Sequence, residues 1–219
     1  LPNKPFFVSE WDMPWPNSYR AEAPIYHAAV GALQNWSGFT IHTYSYATRL
    51  ERGSILGRET SSPIGGVPYR EGIYSTWNDP AKFGLFYHAA IMTRRGDVKG
   101  GLTTLSVKPA SLNEYDDDTI WRNIEKQKIA MDFDIVEKKK RVEPGFSDEA
   151  LSDTGELFIS RKKNYGYIDT DRTKCAYGFL AKNGTIGLSG VKVTAETDFA
   201  VIAMSSLTDE KITESSNIL

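Results

Sequence analysis

A glutamate stands where a short apolar segment ends, and two tryptophans follow it closely. The segment before it reads Pro-Phe-Phe-Val, the aromatic and β-branched composition of a buried strand. Side chains alternate along a strand, so Phe6, Val8 and Glu10 are predicted to share one face. Trp11 follows directly, and Trp15 lies in a proline-rich loop. A catalytic carboxylate and a merely solvated strand-end glutamate would both give this pattern.

The elements after Glu10 predict a β/α arrangement. Apolar residues recur at helical spacing between Arg20 and Trp36, and Pro24 suits a first helical turn. Residues 39–46 then alternate as a strand does. A strand, a helix and a second strand imply parallel pairing through a right-handed crossover. The carboxyl end of such a strand is where a (β/α)8 barrel places its catalytic groups.

A second helix and a series of short strands are predicted further along the chain. Asp79 is expected to cap a helix that begins at Pro80 and ends near Gly96. Short strands separated by turns then indicate an antiparallel sandwich or barrel, and Asn183-Gly184 predicts a hairpin. These strands are expected at 156–160, 165–169, 173–181, 187–194 and 199–205.

Several segments resemble a known enzyme family. Residues 5–11, 19–24 and 32–38 resemble the last two β/α units of the clan A glycoside hydrolases, in particular the β-galactosidase- and agarase-like barrels. Other segments are similar to the final helix and the C-terminal β domain of that family: 77–86, 94–98, 152–156, 168–173 and 197–202. The resemblance thus extends over nearly the whole chain.

This resemblance implies a fold class of α/β plus all-β. The final two β/α units of a TIM barrel would occupy residues 1–98, and an antiparallel β-sandwich would occupy residues 99–219. The implied activity is retaining glycoside hydrolysis with Glu10 as the nucleophile. Such a mechanism needs a second carboxyl group about 5 to 5.5 Å away, which the resemblance places on an upstream strand. We therefore expect the remainder of the barrel upstream of Leu1 and little activity from the 219 residues alone.

Four aromatic residues are candidates for substrate binding. Trp11 and Trp15 could stack on sugar rings, although they could equally anchor their loop. Tyr44 and Tyr46 share one face of the second predicted strand, and a hydroxyl there could hydrogen-bond the Glu10 carboxylate. Core packing would explain both tyrosines as well. Glu22 and Glu59 are candidates for the second carboxyl group by residue type alone, and neither is assigned.

Composition excludes several other classes of protein. A net charge of −2 gives no basic field for nucleic acid, and no apolar run is long enough to span a membrane. Three scattered histidines predict no metal site, and the absence of a phosphate-binding glycine loop predicts no nucleotide cofactor. Cys175, the single cysteine, is expected to be a buried, inert thiol. The expected partner is a carbohydrate, with a non-catalytic carbohydrate-binding or structural module as the alternative function.

Overall fold

The N-terminal part of the fold is a single β–α–β crossover. Strand β1 (Phe7–Trp11) leads through a 3-10 helix (Ser18–Glu22) into helix α1 (Ala23–Leu33). Strand β2 (Gly38–Ile41) then returns parallel to β1, with Phe7 opposite Gly38. The computed structural model describes residues 4–45, 73–77, 79–107, 121–131 and 147–219.

A broken helix and a second parallel strand pair follow. Helix α2 (Pro80–Phe83) begins at the predicted cap, because the Asp79 carboxylate accepts a hydrogen bond from the Ala81 amide at 3.1 Å. Helix α3 (Leu85–Arg95) ends at Gly96, whose φ of 64° is left-handed. The Asp79 cap prediction is therefore confirmed. Two further strands pair in parallel: β3 (Thr104–Val107) and β4 (Lys128–Met131).

The C-terminal half is dominated by a five-stranded antiparallel sheet. The strands are β5 (Glu149–Leu151), β6 (Leu157–Ser160), β7 (Tyr165–Asp169), β8 (Thr173–Gly178) and β11 (Ala200–Ser205). Their order in the sheet is β11–β8–β7–β6–β5, so β8 has β7 on one side and β11 on the other. All six residues of β8 are buried, as expected for an inner strand.

A small hairpin lies between β8 and β11 in the sequence. Its strands β9 (Ile186–Leu188) and β10 (Val191–Val193) pair around a two-residue loop that contains Gly190, with a φ of 75°. The hairpin predicted at Asn183-Gly184 is wrong. Asn183 ends a 3-10 helix, where its side-chain amide donates to the Phe179 carbonyl at 2.7 Å.

Both faces of the large sheet are covered. Helices α1 and α3 cover one face, where Leu33 and Met92 join a buried cluster with Ile168 and Cys175. The β9–β10 hairpin covers the other, where Ala176 contributes to a second cluster. Neighbouring side chains of β8 thus enter different cores. Cys175 is fully buried, as predicted, and burial raises the pKa of its thiol.

The predicted fold class, two β/α units of a TIM barrel followed by a β-sandwich, is wrong. In the described residues β1 and β2 pair only with each other, which gives one crossover and a two-stranded sheet. A barrel strand is buried on both faces, whereas Phe7 is 55% exposed and Glu10 is also exposed. The large antiparallel sheet packs against α1 and α3 on one face and a two-stranded hairpin on the other. The architecture is α+β.

The division into domains at residues 98 and 99 stays a prediction. One buried cluster combines Ile25 and Met92, from before that boundary, with Leu157 and Ile168 from after it. Helices and sheet thus share a core.

Candidate functional site

Glu10 lies at an irregularity near the C-terminal end of β1. Val8 pairs with Phe39 and Trp11 with Ile41, so β1 has one residue more than β2 across this interval. The Thr40 hydroxyl donates to the carbonyl of Ser9 at the same place. Bulges of this kind interrupt simple alternation and re-aim side chains. Glu10 is exposed there, so its carboxylate is open to solvent.

A buried ion pair lies two residues beyond Glu10. Asp12 and Lys82 meet at 2.5 Å, with only 1% and 2% of their side chains exposed. Asp12 Oδ1 also accepts a hydrogen bond from the Met13 amide at 2.8 Å. Burial raises the pKa of Asp12, although the hydrogen bond and charge of Lys82 oppose this rise. In the described part of the chain, Asp12 Oδ2 has no hydrogen-bond partner.

A second ion pair extends this arrangement to the 3-10 helix. Arg20 Nε donates to Asp79 Oδ2 at 2.8 Å, and Arg20 also reaches the Asn17 carbonyl at 3.2 Å. Asp79 thus caps α2 and holds Arg20, while Lys82 of the same helix holds Asp12. The two pairs tie the end of β1 to α2. Sequence reasoning missed both pairs, and the only signal for them was the position of Asp12 after a strand.

The two tryptophans have different surroundings. The Trp11 ring lies 4.0 Å from the imidazole of His27 on α1, so it packs toward the helix rather than standing free. Trp15 is partly buried, and its backbone amide donates to the Ile73 carbonyl at 2.9 Å. The Trp11 contact fits the anchoring role that the sequence left open beside sugar stacking, whereas the Trp15 hydrogen bond is made by the backbone and not by the ring.

Tyr44 is the most exposed of the predicted substrate-binding residues that the structure describes. It is 53% exposed and lies after β2, at the same end of the parallel pair as Glu10. Its ring centroid is 6.3 Å from that of Phe83, which is 49% exposed. Tyr46 lies outside the described residues.

The candidates for a second carboxyl group do not join Glu10 in the described contacts. Glu22 lies at the N-terminus of α1, where burial raises its pKa to about 7. Its charge acts there on Tyr26, Cys175 and Tyr177, which belong to α1 and the large sheet. Glu59 lies outside the described residues.

Metal-binding clusters and membrane-spanning helices are both missing from the described residues. Among them, no group of three or more His, Cys, Asp and Glu side chains could hold a metal ion. Within the same residues, no helix is long and apolar enough to cross a membrane.

The fold and site define an α+β protein with an exposed carboxylate at the end of a parallel strand pair. No protein-family model, curated protein or solved structure matches the chain. The resemblance of its segments to clan A glycoside hydrolases therefore stays a prediction.

Proposed function

We propose that the chain acts on carbohydrate, with Glu10 as the nucleophile of a retaining glycosidase. The observation that carries the proposal is the exposed Glu10 carboxylate at the irregular end of β1. Exposed Tyr44 follows the neighbouring parallel strand. The resemblance of residues 5–11 to the nucleophile strand of the glycosidase family supports the same role.

The proposed reaction begins with attack by Glu10 and, for a natural substrate, also needs a second carboxyl group to protonate the leaving group. A Glu10 oxygen attacks the anomeric carbon of the sugar, and the bond to the leaving-group oxygen breaks with its electron pair going to that oxygen. Water then hydrolyses the resulting glycosyl ester. Asp12 is buried and paired with Lys82, so another residue must supply the second carboxyl group. An activated leaving group makes the first step independent of that residue, because no proton has to be donated.

Covalent labelling tests the proposal directly. The full chain is incubated with dinitrophenyl 2-deoxy-2-fluoro-glucoside and with the corresponding galactoside, and intact mass is measured. We expect a mass increase of one fluoroglycosyl group, which peptide mapping should place on Glu10. Glu10→Gln should abolish the label. Glu196→Gln, at another exposed position, is the matched control and should retain it.

Two outcomes would contradict the nucleophile assignment. One is a label that survives Glu10→Gln, and the other is no label with either sugar while glycans bind the chain. The second outcome favours the non-catalytic carbohydrate-binding function. The observation behind that alternative is the engagement of Asp12 by Lys82, which leaves Glu10 without its closest carboxyl neighbour in sequence. Affinity electrophoresis through polysaccharide gels would then show retardation that Tyr44→Ala reduces and Glu10→Gln does not.

A further inference from the structure

A groove runs between α1, β2 and α3, and the proposed function does not use it. Its volume is about 390 Å³, within the range of small-molecule sites. The walls include Pro24 and His27 from α1, Phe39 and Ile41 from β2, and Phe86 and Ala90 from α3. We call this feature the α1–β2–α3 groove.

Apart from His27, Thr93 and Arg94, the described residues that line the α1–β2–α3 groove are apolar. His27 is 4% exposed, and burial lowers its pKa to about 4, so its imidazole is neutral. Thr93 also lines the groove, but its hydroxyl donates to the Ala89 carbonyl within the helix at 2.8 Å. The Thr93 hydroxyl hydrogen is therefore not available to an occupant of the groove. Such walls favour a hydrocarbon occupant over a polar one.

The last groove-lining residue along α3, Arg94, carries a positive charge. Arg94 is exposed, and among the described contacts it makes no ion pair and no hydrogen bond; of the described lining residues it alone has a formal charge. The adjacent Arg95, in contrast, is paired with Asp97 at 2.6 Å. Phe86 and Arg94 are eight residues apart on α3, which corresponds to about 12 Å, roughly the length of a ten-carbon chain.

We propose that the α1–β2–α3 groove binds a free medium-chain fatty acid. The hydrocarbon chain lies along α3 between Phe39 and Ala90, and the carboxylate pairs with Arg94. Charge complementarity favours this occupant, because an apolar groove that ends at an unpaired guanidinium matches an amphiphile with an anionic head. An arginine fork also suits a carboxylate geometrically.

Isothermal titration of the full chain with decanoate, below its micellar concentration, tests this proposal. Decyltrimethylammonium, with a similar chain and the opposite charge, is the control ligand and should bind more weakly. Arg94→Gln should weaken decanoate binding roughly threefold, as expected for an exposed ion pair, and this difference should shrink in high salt. Lys192→Gln, at an exposed position of β10, should change nothing.

Filling the groove provides a second, independent variant. Ala90 is an exposed helical residue, so Ala90→Trp should preserve the fold by circular dichroism and abolish decanoate binding. Equal binding of both amphiphiles, or binding that survives Ala90→Trp, would overturn the proposal. A third outcome would also overturn the proposal: the parent chain is a dimer by light scattering, Ala90→Trp is a monomer, and decanoate does not bind. The occupant of the groove would then be a second copy of the chain. None of these results depends on Glu10.

Discussion

The carboxylate of Asp12 and the ammonium of Lys82 form an ion pair at 2.5 Å with both side chains almost fully buried. The pair joins the end of β1 to helix α2, two residues from the exposed Glu10. Burying two charges costs free energy that their attraction roughly offsets, but burying one alone is far more costly. The pair therefore fixes the position of the strand end.

Lys82→Met tests how much the Asp12–Lys82 ion pair contributes to stability. We expect a loss of about 3 to 5 kcal/mol in the free energy of unfolding, because Asp12 would be left as an uncompensated buried carboxylate. Urea unfolding at pH 7 measures it. Adding Asp12→Asn should recover much of the loss, whereas Lys192→Met on the surface should cost little. A loss below about 1 kcal/mol for Lys82→Met would contradict the buried pair.

A second buried network joins α3 to the large sheet. Asp97 accepts hydrogen bonds from Thr173 Oγ1 at 2.7 Å and Arg95 at 2.6 Å, and Arg172 lies 3.1 Å from its other oxygen. Thr173→Val should cost about 1 to 3 kcal/mol, because it removes a donor from a buried carboxylate. Equilibrium unfolding measures this cost. Thr185→Val provides the control, since that hydroxyl pairs with Thr194 at the surface; equal costs at both positions would contradict the role of the network.

Gly178 is required where β8 ends. Its φ is 105°, and a Cβ there would lie 2.4 Å from the Asn164 carbonyl oxygen. Gly178→Ala should therefore cost about 3 kcal/mol or more, from backbone strain and a steric clash together. Gly155 separates the two contributions, because its φ is 75° and a Cβ added there would meet no atom within 4 Å. Gly155→Ala should therefore cost only about 1 kcal/mol. Thermal unfolding measures both variants, and a similar cost at both sites would exclude the clash at Gly178.

Local elements of the fold were predictable from the sequence because their signals are local. Asp79 with Pro80 is a short-range cap signal, and the structure has the helix beginning there. The strands at 165–169 and 199–205 were predicted within a residue, since turn-forming residues bound them. The predicted strand at 187–194 is wrong because Ser189-Gly190 turns the chain inside it.

The packing of the elements against one another and the burial of individual side chains were not predictable from local sequence signals. The apolar composition of Phe6, Phe7 and Val8 predicts a strand, but it does not specify how many neighbouring strands cover it, and Phe7 is 55% exposed. A lysine in a helix is normally solvated, so nothing in the sequence indicates that Lys82 is buried against Asp12. The sequence indicates Glu10 from its place at the end of an apolar segment, whereas the irregularity beside it depends on the register with β2.

Two groups at the start of α1 give opposite pH dependences. Burial lowers the pKa of His27 from 6.5 to about 4, so the folded chain binds fewer protons than the unfolded chain in that interval. The His27 contribution to stability is present above pH 6.5 and is lost as the pH falls to 4. Burial raises the pKa of Glu22 from 4.5 to about 7, so its contribution is present below pH 4.5 and is lost as the pH rises to 7.

Between pH 4.5 and 6.5 the two contributions cancel in part, and single variants should separate them. His27→Phe keeps an aromatic ring between Trp11 and Phe39, and relative to the parent it should lose stability as the pH rises. Glu22→Gln should gain up to about 3 kcal/mol relative to the parent over the rise from pH 4 to 6.5, because the parent loses the stability that Glu22 contributes over this interval and the variant has no such contribution to lose. Urea unfolding at half-unit steps of pH measures both difference curves. The double variant should remove both slopes, and a Glu22→Gln curve parallel to that of the parent would show that Glu22 does not titrate with a raised pKa.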